Sequence, residues 1–144
     1  MAGCTIFGHH DCPIDIQPRL RDVLIRLIEE CGVDTFYIGN HGSFDAMALH
    51  VISELKSIYP HIRYTTVLAY MPQKGSVADN QDYRTTILPE GIESVPRRFA
   101  IVWRNKWMLQ QADYVVTYVV HTFGSAAKFA AMAKRQGKDV VNIV

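Results

Sequence analysis

The chain is poor in the features that would settle a class quickly. Its three cysteines, Cys4, Cys12 and Cys31, form no C-x-x-C pair, which excludes a disulfide framework and a zinc ribbon and favours a reducing, cytoplasmic setting. A formal net charge of +1 removes the strong basic excess that backbone binding to nucleic acid would need. No run approaches ~18 consecutive apolar residues and no basic segment precedes an apolar one at the N-terminus, so neither a membrane span nor a signal peptide is expected. There is no G-x-S-x-G elbow, no G-x-x-x-x-G-K-[ST] loop, and Gly8-His9-His10 does not extend to G-x-G-x-x-G. Hydrolase triads, P-loop NTPases and ordinary dinucleotide binding therefore lack their signatures. Internal repeats and low-complexity tracts are absent as well.

What remains is ordinary soluble globular composition over 144 residues, 49% hydrophobic and 20% charged, the size of a single domain spanning residues 1–144. Strand-like runs alternate with helical ones. Gly3–Gly8, Thr35–Ile38, Tyr64–Tyr70, Tyr114–Val120 and Val140–Ile143 are apolar, β-branched or aromatic. Between them, Leu20, Val23, Leu24, Leu27, Ile28 and Cys31 repeat at helical spacing up to Gly32, and Phe44, Met47, Ala48, Val51, Ile52 and Leu55 do so up to Pro60. Phe99, Ala100, Trp103, Trp107 and Met108 mark a third helix, and Ala126, Phe129, Ala130 and Ala133 a fourth.

This alternation predicts a doubly wound, Rossmann-like α/β domain with about five parallel strands in the order 3-2-1-4-5 and helices on both faces. Met71–Pro96 interrupts it. Its prolines and glycines and its length of roughly 25 residues predict a partly ordered excursion across the site.

In such sheets ligands sit beyond the carboxyl ends of the strands where the order reverses. Three loops converge there: His9-His10-Asp11-Cys12-Pro13; Gly39-Asn40-His41-Gly42-Ser43-Phe44-Asp45; and His121-Thr122-Phe123-Gly124-Ser125. In the third, Thr122 and Ser125 bring hydroxyls, Gly124 frees the backbone, and Ser125 is placed to cap a helix whose N–H groups suit phosphate. A plain strand-to-helix turn is the competing reading. Asp45, in a first helical turn, serves either as a dipole-stabilised cap or as a ribose contact. Arg104 either meets phosphate or lies on a charged outer face, and Trp103 and Trp107 belong to the core, to a stacking surface or to a subunit interface. His9, His10, His41 and His121, with Asp11, Cys12 and Asp45, crowd one rim, but they lack H-x-x-x-H and H-E-x-x-H spacing, so no metal site is assigned.

The segments GHHDCP, GNHGSFD and PEGIESVPRRFAIVWRNKWMLQQADYVVTYV, followed by a glycine turn and an alanine-rich helix, resemble small bacterial proteins of the SLOG superfamily. That group includes DNA-processing protein A and the "lonely guy" phosphoribohydrolases. The resemblance implies a nucleotide-derived ligand, no cofactor, homo-oligomerisation and a sensor or accessory role. Its implied ligand contacts are Gly8, His9, His10, Gly39, Asn40, Gly42, Ser43, Asp45, Arg104, His121, Thr122, Gly124 and Ser125. The enzyme branch carries P-G-G-x-G-T-x-x-E, whose glutamate assists N-glycosidic cleavage. Here the late loop keeps one glycine and has Lys128 where a carboxylate is needed. Hydrolysis of nucleoside 5′-monophosphates, the alternative, then requires Asp45 or Glu90 within reach. DNA binding as an accessory protein is a second alternative.

Overall fold

The computed structural model describes residues 2–70 and 86–144. Six strands form one parallel sheet: β1 (Ala2–Gly8), β2 (Val33–Ile38), β3 (Arg63–Val67), β4 (Thr86–Ile87), β5 (Tyr114–Tyr118) and β6 (Asp139–Asn142). Their order is β4-β3-β2-β1-β5-β6. The expected five strands in the order 3-2-1-4-5 are thus corrected to six. The addition, β4, lies inside the stretch read as an excursion and pairs with the outer edge of β3 through Thr66 opposite Thr86 and Val67 opposite Ile87. Two residues are too short to show a period of two, which is why the sequence did not disclose this strand. Without β4, the remaining strands follow the expected sequence. The part of the excursion before residue 86 lies outside the described residues.

Among the described residues four α-helices connect the strands: α1 (Gln17–Cys31), α2 (Ser43–Ile58), α3 (Arg97–Gln111) and α4 (Ser125–Arg135). β1 is buried along its length, so its alternate residues feed two cores. Cys4 and Ile6 pack with Leu20, Leu24, Val51 and Ile52 of α1 and α2. Phe7 packs with Met108, Leu109, Phe129 and Ala133 of α3 and α4. Phe7 and Phe129 stack with ring centroids 5.2 Å apart.

Helix ends follow their local chemistry. Gly32 takes the left-handed conformation (φ 71°) and its N–H bonds the Leu27 carbonyl, closing α1. Lys56 closes α2 by donating to the Pro60 carbonyl at 2.7 Å.

The third helix departs from expectation. Its buried stripe is Ala100, Arg104, Asn105, Met108 and Leu109, while Trp103 and Trp107 are half-buried and Phe99 is 52% exposed. Arg104 lies four residues from both Ala100 and Met108, hence on their face, and its hydrogen bonds offset the desolvation that would otherwise keep a guanidinium outside. Trp107 packs against the second core, where it meets Tyr37 edge-on at 5.7 Å.

Candidate functional site

Strand order reverses between β1 and β5, whose chains leave toward opposite faces of the sheet. A cavity of about 270 Å³ opens there, lined by Gly8, His10, His41, Asp45, Arg104 and Ser125 among others. Five of these six were expected from sequence. His41 had been placed on the rim only, and Asn105, which also lines the cavity, was missed. Its adjacency to Arg104 becomes informative only once the inward stripe of α3 is known.

Arg104 is the centre of the site, with only 2% of its surface exposed. Nε donates to Asn105 Oδ1 at 2.8 Å, and Nη1 to Asn40 Oδ1 at 3.1 Å and the Val67 carbonyl at 2.9 Å. Nη2 meets His41 Nδ1 at 3.2 Å. A guanidinium has five N–H groups, so one on Nη2 has no partner among the described residues. Of the two readings of Arg104, the charged outer face is ruled out: the guanidinium is buried and, among the described residues, forms no ion pair within 4.0 Å.

His41 is oriented by that contact. Arginine only donates, so Nδ1 accepts and Nε2 carries the proton toward Tyr70 Oη, 3.4 Å away. Burial, then Arg104, then His10 lower the His41 pKa. Arg97 completes the row, its guanidinium carbon 3.9 Å above the Tyr70 ring.

Asp45 lies half-buried in the first turn of α2, where Oδ2 accepts the His41 N–H at 2.9 Å. Burial pushes its carboxyl up to about 6, against the pull of that hydrogen bond and of Arg104. Gly39 separates the two charges: a Cβ there would come within 2.8 Å of Asp45 Oδ2 and 3.1 Å of Arg104 Cζ.

The other expected contacts divide into supports and outliers. Ser43 staples the first two loops, since its N–H and hydroxyl donate to the His10 carbonyl at 2.8 and 2.9 Å and its oxygen accepts the Cys12 N–H at 2.8 Å. Gly42, at φ 96° and ψ 169°, packs on His10. His9 Nε2 accepts the N–H groups of Val120 and His121 at 2.9 and 3.2 Å, which fixes the proton on Nδ1.

Ser125 is the first residue of α4 and not its cap; that position belongs to Gly124 (φ 95°, ψ 168°), and no side chain caps the helix. His121 and Thr122 line a separate cavity of about 310 Å³ between α4 and β6. Glu90 is exposed and does not line the first cavity. Among the described residues, no group of three or more His, Cys, Asp or Glu side chains could hold a metal ion, and no helix is long and apolar enough to cross a membrane.

No protein-family model matches the chain, and neither does any curated protein. Among solved structures it is similar to DNA processing protein A (DprA) from Streptococcus pneumoniae, with a TM-score of 0.69 at 14% identity, over 97% of this chain and 49% of that one. The chain thus spans about half the length of that protein. At this identity the likeness shows the fold alone, a Rossmann-like α/β domain.

Proposed function

We propose that the switch-point cavity binds a nucleotide-derived ligand, its phosphate between Arg104 and the Gly124–Ser125 turn and its ribose hydroxyls against Asp45. The observation that carries this reading is the buried Arg104, which lines the cavity and, among the described residues, has one N–H without a partner and no ion pair. Opposite it, the N–H groups of Ser125 and Ala126 begin a helix with no capping side chain, an arrangement suited to an anion. The likeness to DNA processing protein A supports a SLOG-type sensor or accessory protein. Self-association belongs to this reading, with Phe99, Trp103 and Trp107 on α3 as the contact surface. The test is calorimetric titration with nucleoside 5′-monophosphates; heats no different from buffer across the panel would sink it.

One observation favours turnover as a second reading. Asp45, at about 6, is poised to hold or release a proton near neutrality inside the same cavity. Hydrolysis of the N-glycosidic bond would then use Asp45 and not the distant Glu90. Release of free base and ribose 5-phosphate, abolished by Asp45→Asn, distinguishes turnover from binding alone. DNA, the alternative that the likeness to DNA processing protein A brings in, is tested separately: single-strand affinity should fall steeply with salt if that reading holds.

A further inference from the structure

A file of aromatic rings runs from the core to the surface beside the cavity. Phe44 lies 6.1 Å from Tyr118, Tyr118 is 6.1 Å from His9, His9 is 4.7 Å from His121, and His121 stacks on Phe123 at 4.9 Å with planes 15° apart. Phe44 and Tyr118 are buried, whereas Phe123 is 72% exposed. The outermost ring therefore has one face on His121, and most of the remaining surface is open to water.

The file is held from below. His9 accepts two successive backbone N–H groups of the late loop, so the segment carrying His121 and Phe123 is tied to β1 by more than its own turn. An aromatic face fixed in this way loses little freedom when a second ring covers it. Phe123 also stands two residues before Ser125, which lines the cavity. At ~3.3–3.6 Å per residue the two backbones lie within about 7 Å of each other, the scale of one ribose between a phosphate and its base.

We infer that the exposed face of Phe123 is a stacking platform for the nucleobase, in a ligand whose phosphate lies at Gly124–Ser125. This rests on the nucleotide reading above and adds to it how the base is held: by ring stacking without hydrogen-bond readout. Such a platform accepts any base, because every base has a π-face.

The experiment compares adenosine 5′-monophosphate with ribose 5-phosphate on the wild type, Phe123→Ala and Phe123→Trp. Phe123 is exposed, so neither substitution threatens the core. The wild type should bind the nucleotide roughly 5- to 150-fold more tightly than the base-free sugar phosphate. Phe123→Ala should remove that ratio and leave the sugar phosphate unchanged, and Phe123→Trp should keep it. Fluorescence of 2-aminopurine ribonucleoside 5′-monophosphate should be quenched by the wild type and by Phe123→Trp but not by Phe123→Ala. An unchanged ratio in Phe123→Ala overturns the platform while the phosphate site stands. Failure of the wild type to bind either ligand overturns both.

Discussion

The two glycine–serine turns of this domain have the same backbone and opposite surroundings. Gly42 precedes α2 at φ 96° and ψ 169°; Gly124 precedes α4 at φ 95° and ψ 168°. Both lie in a region that is essentially glycine-only. A Cβ on Gly42 would come within 3.0 Å of His10, but on Gly124 it would meet nothing within 4 Å. Ser43 N–H is spent on the His10 carbonyl, whereas the first N–H groups of α4 have no partner among the described residues. Backbone shape alone therefore does not make an anion site. The first turn is filled by its own chain, and the second is left for something else.

The largest expected effect separates backbone strain from packing. Gly42→Ala should destabilise the domain by about 2–4 kcal/mol, and Gly124→Ala, with strain but no clash, by about 1–2 kcal/mol, read from urea unfolding. Equal losses would break the comparison.

Next comes Asp45→Asn. The folded carboxyl titrates near 6 against an ordinary value of 3.8, so the folded state holds the extra proton between those values and stability falls as pH rises through them. Above about pH 6 the cost is complete. The amide should therefore raise stability at pH 7 by about 1–3 kcal/mol while weakening nucleotide binding. Raised stability with intact binding would remove Asp45 from the site.

The serines sharpen the contrast further. Ser43→Ala removes the hydroxyl that joins His10 and Cys12 and should cost about 1 kcal/mol of stability. Ser125 makes no such bonds among the described residues, so Ser125→Ala should stay within ~0.5 kcal/mol in stability and act on phosphate affinity instead.

The smallest effect is in pH. Burial, with His121 adding to it, lowers His9 below its usual 6.5, and burial lowers His41 as well. The unfolded chain then binds the protons first, so stability should decline as pH falls below about 6.5. Asp45→Asn removes the opposing carboxyl titration, and chemical denaturation across pH in that background should show the decline without its counterweight.

How much was legible beforehand follows the same division between local pattern and tertiary context. The βα alternation can be read from apolar runs and periodicity, since each run belongs to one continuous segment. So can the meeting of Gly8, His10, Asp45 and Ser125, because parallel strands put their loops at one end. Thr86–Ile87 escaped because two residues carry no period. Trp107 does pack against the core cluster of Phe7, Met108 and Phe129, but hydrophobicity ranks tryptophan above arginine and so hid Arg104 in the buried stripe of α3. Only the acceptors at Asn40, His41, Val67 and Asn105 explain why the arginine goes in. The contrast between Gly42 and Gly124 is likewise invisible in two Gly-Ser pairs, since it depends on His10, more than thirty residues before the first.

The most direct test of the central claim follows backbone amides by ¹⁵N–¹H NMR during titration with adenosine 5′-monophosphate. If the open turn holds the phosphate, the amides of Gly124, Ser125 and Ala126 should shift and saturate with one affinity, while Ser43, already bonded to His10, should move little. Shifts centred on Gly42–Asp45, with the α4 turn unmoved, would contradict the account.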